Sequence, residues 1–312
     1  MPPAFPISPI QEITSARLSE RGVRVLVKRD DLLHRDISGN KWRKLKYNLE
    51  AARKQGCSRL ITFGGAYSNH LAAVAAAGRE FGFTTQGIVR GECVSPLNPT
   101  LQFAENCGME LRFVSRAEYR ETEGTQLLEN IGLNFANAYV IPSGGANALG
   151  LRGCAEIVAE VEEQLGFLPE EWVTACGTGT TLAGLIQGLN GRARALGVAV
   201  LKGNFLTAEV RKQLEKVDQP HLQHWEVLDD FHCGGYAKFT PQLIDWINAF
   251  QAQTGIPLDP IYTGKAGAAM DQLVERGFFA PGTTVLFLHT GGLQGIAGFN
   301  QRHGNLIRAT IE

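Results

Sequence analysis

The sequence predicts an α/β protein built on largely parallel sheet. Three observations carry that prediction. Strand-like and helix-like segments alternate along nearly the whole chain. Glycines cluster where the strand-like runs end. No repeat, low-complexity tract or long polar linker breaks the rhythm, so composition marks no domain boundary. Parallel strands need helical crossovers, and this alternation supplies them.

Taken in order, Val23 to Lys28 reads as a strand and Lys41 to Gln55 as a helix, with Leu45 and Leu49 on one face. Arg59 to Phe63 is strand-like, and Asn69 to Phe81 is an alanine-rich helix. Then follow strand Thr85 to Arg90, helix Pro99 to Asn106, strand Leu111 to Val114 and helix Ala117 to Ile131. Tyr139 to Pro142 is a strand end, Leu151 to Leu165 a helix, Trp172 to Cys176 a strand and Thr180 to Asn190 a helix. The later segments are strand Val198 to Leu201, helix Pro241 to Gln253, strand Leu258 to Tyr262, helix Ala266 to Glu275 and strand Thr284 to His289.

Bulk properties narrow the function. At 312 residues the chain can bury a sizeable core in one large or two ordinary domains. With 30 basic and 31 acidic side chains, a net charge of -1 gives no electrostatic case for nucleic acid or an anionic membrane as partner. No apolar run is long enough to span a bilayer, and Met1 to Pro6 lacks the pattern of a secretory signal. Cys57, Cys93, Cys107, Cys154, Cys176 and Cys233 are scattered without a Cys-x-x-Cys pair. They predict free thiols in a reducing cytoplasm and no metal site.

Five glycine-rich exits stand out: Gly64-Gly65, Gly144-Gly145, Gly177 with Gly179, Gly234-Gly235 and Gly291-Gly292. Each alone fits a tight turn with positive φ. Open α/β sheets bind ligands beyond the carboxyl ends of their strands, so five such exits with polar neighbours point to one cleft.

Two segments carry the chemistry. In Ser38-Gly39-Asn40-Lys41-Trp42-Arg43-Lys44 a lysine opens a helix, the end that cations do not prefer. One reading is a solvated basic patch of Lys41, Arg43, Lys44 and Lys46. The other makes the Lys41 amine a Schiff-base former and Lys44 a phosphate counter-charge. In Cys176-Gly177-Thr178-Gly179-Thr180-Thr181 a strand runs into a helix. It is neither a P-loop nor Gly-x-Gly-x-x-Gly, since Leu182 holds the last position. Its N–H groups and hydroxyls still suit a phosphate. An aldehyde at one end and a phosphate at the other describe pyridoxal 5'-phosphate (PLP).

Other segments are compatible with that ligand. Gly64-Gly65-Ala66-Tyr67-Ser68-Asn69-His70 leads into the alanine-rich helix. Ser68 can cap it, and the N–H groups there also suit a substrate carboxylate. His70 taken alone reads as a satisfied structural histidine. In PLP chemistry this loop would put Asn69 near the ring oxygen. Tyr236 and Tyr262 are either core-edge tyrosines or hydroxyls near the reacting group. Asp30-Asp31 and Glu162-Glu163 read as helix-cap or solvated charges.

With these segments in order, the chain resembles the family of 1-aminocyclopropane-1-carboxylate (ACC) deaminase and D-cysteine desulfhydrase. The matching motifs are Lys28-Arg29-Asp30-Asp31, Ser38 to Leu45, Gly64 to His70, the Gly177 to Thr181 loop, Tyr262-Thr263-Gly264-Lys265 and His289-Thr290-Gly291-Gly292. The resemblance implies the type II PLP fold, with two open, twisted, mainly parallel sheet domains flanked by helices. Residues 1–42 plus 146–312 would form the larger domain and 43–145 the smaller, with the active site in the cleft between them. It implies that Lys41 carries the PLP, and that Lys44 with Gly177, Thr178, Gly179, Thr180 and Thr181 holds its phosphate. It also puts Asn69 on the ring, Ser68 (with Asn69 and His70) at the substrate, and Tyr236 and Tyr262 over the reacting face. Thr263 or Thr290 would meet the pyridine nitrogen. The family often forms homodimers.

Similar ACC deaminases carry Glu at the Thr263 position and Leu at the Thr290 position, whereas this chain has threonine at both. A threonine hydroxyl is a weaker support for the ring's electron sink than a carboxylate. That suffices to expel a thiolate more readily than to open a cyclopropane. The expected activity is β-elimination from D-cysteine, giving pyruvate, ammonia and hydrogen sulfide. ACC deamination to 2-oxobutanoate, or elimination from another small D- or L-amino acid, is the alternative. A non-catalytic binder of a phosphorylated metabolite would leave the Lys41 segment unexplained.

Overall fold

The computed structural model describes residues 7–121, 124–217 and 222–308. Residues 1–6, on which the reading of the chain start rests, lie outside them. The described residues form two separate sheets. The strands are β1 (Ile10–Ile13), β2 (Arg24–Lys28), β3 (Arg59–Gly65), β4 (Thr84–Arg90), β5 (Met109–Val114), β6 (Ala138–Ile141), β7 (Glu171–Cys176), β8 (Arg194–Ala199), β9 (Trp225–Leu228) and β10 (Thr284–Leu288). The larger sheet has the order β1-β2-β10-β7-β8-β9 and the smaller β5-β4-β3-β6. Every pairing is parallel except β1 with β2. Parallel strands are covered on both faces, which explains the near-continuous apolar runs of β7 and β10.

Each sheet has its own pair of apolar layers. Val25, Val173, Phe287 and Ile247 pack on one face of the larger sheet, and Leu26, Trp172, Leu182 and Ile157 on the other. The smaller sheet carries Leu60, Leu71, Val74 and Leu45 on one face and Ile61, Phe63, Ile88 and Leu128 on the other. The helix Asn40–Lys54 belongs to both halves. Its Trp42, Leu45 and Leu49 enter the smaller core, and it packs on the helix Ala148–Leu165, which serves the larger. That second contact is close. A Cβ at Gly153 would overlap the Arg43 carbonyl oxygen.

Four segments differ from the sequence expectation. Leu258 to Tyr262 is not a strand but an extended stretch and turn feeding the helix Thr263–Glu275. Leu258 is buried in the larger core without pairing in a sheet, and an apolar run alone does not distinguish that from a strand. The expected strand at Val198 to Leu201 runs earlier, as β8. The helix expected over Ala117 to Ile131 is seen as Glu118–Glu121 and Thr125–Asn130, with 122–123 outside the described residues. Asp30 and Asp31 are not solvated: both are buried and ion-paired. No helix among the described residues is long and apolar enough to cross a membrane.

Candidate active site

The helix carrying Lys41 starts where the chain turns sharply at Gly39. Its φ is +66°, and a Cβ there would overlap the Thr290 carbonyl, so glycine is required. The Asn40 N–H then donates to that carbonyl at 3.2 Å. The start of the helix is thereby locked to the exit of β10.

Lys41 Nζ donates to Asn40 Oδ1 at 2.9 Å, and Asn40 Nδ2 donates to Thr181 Oγ1 at 2.9 Å. Two hydrogen bonds thus join the lysine to the mid-chain Gly-Thr loop, 140 positions away in sequence (181 − 41). Desolvation, reinforced by the charge of Lys44, pulls the Lys41 amine down to about 7. A lysine with that value presents a substantial neutral, nucleophilic fraction near neutral pH.

Lys44 is buried and donates no hydrogen bond to any described residue. Burial pushes its amine down, only partly offset by the Cys154 and Cys176 thiols beside it. Burial raises both thiols in turn, Cys176 to about 12, so neither is a counter-anion. The solvated basic patch is therefore not what the fold builds. Arg43 pairs with Asp30 at 2.9 Å and with Glu160 at 2.6 Å, and Lys46 pairs with Glu156 at 2.7 Å. Unlike Arg43 and Lys46, Lys44 has no carboxylate partner among the described residues.

The Gly177 to Thr181 loop lies against the same pair of lysines. Gly179 precedes the helix Thr180–Leu189 and offers no side-chain cap, so the first N–H groups of that helix keep their ligand capacity. Gln213 Nε2 donates to the Thr178 carbonyl at 2.6 Å and holds the loop from outside. On the opposite side, the Gly144-Gly145 turn contacts Thr178 and Lys44.

Ser68 caps the helix Asn69–Phe81, its Oγ accepting from the N–H groups of His70 and Leu71 at 3.2 and 3.3 Å. The capping role is realised, and it uses two of the N–H groups expected to serve an anion. His70 is buried, and neither ring nitrogen has a hydrogen-bond partner. Burial and the charges of Lys41 and Lys44 hold it well below the ordinary histidine value. The Pro142 carbonyl pulls weakly the other way without making a hydrogen bond.

The remaining predicted residues close the cluster. Tyr262 sits beside Gly177. Its hydroxyl is 3.5 Å from that of Tyr236, with ring centroids 6.1 Å apart edge to face. Burial, followed by Tyr236, raises the Tyr262 phenol well above its usual value. Thr263 is buried, and its hydroxyl donates to Asp259 Oδ2 at 2.7 Å while accepting from the Asp259 N–H at 2.9 Å. Thr290 is buried at the exit of β10, and its carbonyl is the acceptor for Asn40. Asn69 Oδ1 accepts from Gln294 Nε2, and Gln294 Oε1 accepts from Thr100 Oγ1 at 3.1 Å.

Sequence reasoning missed four of these groups. Asn40 lay inside the quoted motif but was given no role. Asp259 accepts from the N–H groups of Ile261, Tyr262 and Thr263, across the turn that enters the helix Thr263–Glu275, and so does the work of a cap there. That capping signal was legible, but reading 258–262 as a strand hid it. Gln294 and Lys265 have no local signal, since their partners are distant in sequence. Two surface hollows, one by Asp245 and Arg308 and one by Glu12 and Gln164, share no residue with the cluster. Among the described residues no group of His, Cys, Asp and Glu is arranged to hold a metal ion.

The sequence model of the pyridoxal-phosphate dependent enzyme family matches residues 5–291. The chain belongs to that family. PLP is accordingly its cofactor. A putative ACC deaminase of Pyrococcus abyssi is 33% identical over 315 residues, covering 94% of this chain and 92% of the relative. The bifunctional D-cysteine desulfhydrase/ACC deaminase of Arabidopsis thaliana, a mitochondrial protein, is 30% identical and covers 88% and 74%. The crystal structure of an ACC deaminase homologue superposes with a TM-score of 0.81 at 30% identity, covering 96% of this chain and 94% of that one. The two-sheet architecture is the type II PLP fold, and the enzyme is one of the ACC deaminase/D-cysteine desulfhydrase kind.

The residues present fit the cofactor on three independent counts. A buried amine lacks an anion at Lys44, the glycine-led helix end beside it is uncapped, and His70 is buried with two unpaired nitrogens.

Proposed function

We propose that this PLP enzyme is a lyase that eliminates a thiol from a small β-substituted amino acid, D-cysteine first, releasing pyruvate, ammonia and hydrogen sulfide. In this reading Lys41 tethers the cofactor. Lys44 and the loop Gly177, Thr178, Gly179, Thr180 and Thr181 hold its phosphate. Asn69 holds the ring oxygen, and Thr263 or Thr290 faces the ring nitrogen. When bound, the cofactor supplies an electron sink for the charge left at the substrate α-carbon.

The protein's own groups divide the remaining work. Lys41 Nζ, set near 7, can take the α-proton while staying partly neutral at cellular pH. Ser68 is a poorer base, because both acceptor positions of its Oγ already receive N–H groups. It keeps its own proton to donate to the substrate carboxylate. His70 stays neutral and can complete that contact with Asn69. Tyr262 holds its proton, and with Tyr236 it orients the group at the β-carbon.

The observation that carries the choice of substrate is Thr263. It stands where similar ACC deaminases carry Glu, and its hydroxyl is already shared with Asp259. The same contact favours a second reading. Asp259 brings a carboxylate within 2.7 Å of that hydroxyl, which strengthens the sink at one remove, and the names of the relatives favour ACC equally. Purified yellow protein assayed with D-cysteine, L-cysteine, D-serine and ACC separates the two. Sulfide and pyruvate from D-cysteine are expected. Release of 2-oxobutanoate from ACC at a higher kcat/KM would replace this reading with the second.

We further propose two domains, 43–145 and 1–42 with 146–312. The membership of β3 to β6 in one sheet and of the other strands in the second supports this. A homodimer, testable by sedimentation, follows the family pattern. A cytoplasmic location is supported by six unpaired cysteines and is testable by fractionation.

A further inference from the structure

Lys265 has no part in the chemistry above, yet it is among the largest fully buried side chains of the protein. Its position is unfavourable twice over. It lies in the first turn of the helix Thr263–Glu275, where the helix dipole repels cations. Among the described residues it makes no salt bridge, and its ammonium donates only to the Gly235 carbonyl, at 2.8 Å. The other ionisable groups facing it are Cys233 and Asp259. Burial lowers its amine to about 8. A buried cation with a single carbonyl partner is costly, so that partner explains its presence.

The carbonyl belongs to an unusual piece of chain. Gly234 and Gly235 take φ values of +94° and +118°, and Cys233 and Ala237 also have positive φ. No β-strand or α-helix supports the stretch from 232 to 239. Tyr236 follows directly and is 42% exposed, so burial does not hold its ring. Its contacts are the edge-to-face ring and hydroxyl of Tyr262.

We propose that Lys265 is a positioning residue: it clamps the Gly234-Gly235 turn and thereby sets the Tyr236 hydroxyl against Tyr262 at the substrate side of the cleft. Lys265 lies three residues after Tyr262 in one helical turn, so a single rigid element aims both tyrosines. The inference rests on the reading of Tyr236 and Tyr262 as substrate-facing hydroxyls.

The test uses cofactor-loaded enzyme and the variants K265M, K265Q, Y236F and K265M/Y236F. Hydrogen exchange is followed in the peptide covering 232–240 and in the helix Thr263–Glu275. In K265M the turn is expected to exchange roughly tenfold faster or more, the effect of losing a hydrogen bond to a charged donor, while the helix is unchanged. K265Q, which keeps a donor, should fall between and supplies the same comparison if K265M does not fold. The kcat per cofactor-loaded site should drop in K265M and in Y236F alike, and the double variant should be no worse than either. Unchanged exchange in the turn, or losses that multiply, would overturn the clamp. Full activity in Y236F with faster exchange in K265M would instead overturn the role of Tyr236 and leave the clamp standing.

Discussion

Replacing Lys44 by methionine should move two properties in opposite directions. The side chain is 2% exposed, and its amine has no hydrogen-bond partner among the described residues. Its neighbours are two protonated thiols and the repelling charge of Lys41. Desolvating an amine that has no fixed partner costs up to about 1–3 kcal/mol, and methionine fills nearly the same space without the charge. The cofactor-free variant should therefore be more stable than the parent by about that amount, or about 2–6 °C in Tm for a chain of this size. The phosphate should lose one charge-assisted contact worth about 1.5–3 kcal/mol, so PLP should bind roughly 10- to 150-fold more weakly. Thermal scans of cofactor-free protein and a PLP titration followed by visible absorbance read the two effects. The stability gain should also shrink as pH rises. The native amine titrates below the unfolded one, so the native state sheds its proton first and the parent's penalty fades towards the ordinary lysine value. A cofactor-free variant less stable than the parent, with unchanged PLP affinity, would refute the reasoning.

Four further outcomes follow from other contacts. Lys41→Ala should abolish both the visible absorbance of the bound cofactor and turnover, and a borohydride-reduced adduct mapped to any other lysine would contradict the assignment. Because Lys41 titrates near 7 in the cofactor-free protein and near 10.5 when unfolded, it should make denaturant stability rise with pH between those values; a flat profile in that window would count against it. Arg43→Met removes the cation from Asp30, which is 0% exposed and would keep the Ser8 hydroxyl, and should cost about 3–5 kcal/mol in a urea titration. Gly153→Ala should cost about 1–3 kcal/mol by forcing the helix Ala148–Leu165 off the Arg43 backbone, with weakened PLP affinity measured alongside.

The buried network behind the lysines explains why Arg43 matters. Arg43 is bidentate on Asp30 and also reaches Glu160, while Lys28 bonds Glu160 at 2.5 Å and the Ser8 carbonyl at 2.6 Å. The Asp30 carbonyl accepts from the Gly39 N–H at 2.8 Å. One carboxylate group and its backbone therefore hold both the helix and the turn that delivers Lys41. Burial would raise the Glu160 carboxyl, but Arg43 and Lys28 outweigh it and bring it down.

Periodicity was a good guide wherever an element's own residues decide its form. The alternation of apolar runs and amphipathic stretches located most strands and helices of both sheets, because burial on one or two faces is written locally as a period. The glycine-led exits were likewise legible as turns, since positive φ and uncapped helix ends are local features. It failed at 258–262, where an apolar run is buried without pairing in a sheet. It failed at Asp30 as well, where a local pair of charges looks solvated until Arg43 arrives from the next helix.

From the residues alone came the fold class and the cofactor, together with the proposal of Lys41 and the Gly177 to Thr181 loop as its holders, because each depends on neighbours a few positions away. Only the folded chain decided how they meet. The Asn40 bridge to Thr181, the Arg43 pair with Asp30 and the Lys265 hydrogen bond to Gly235 each join groups on different elements, and the same packing leaves Lys44 without a carboxylate. Protonation states belong to the same category. A lysine becomes a nucleophile near neutral pH through the water removed and the charges gathered around it, and that environment exists only after distant segments have packed together.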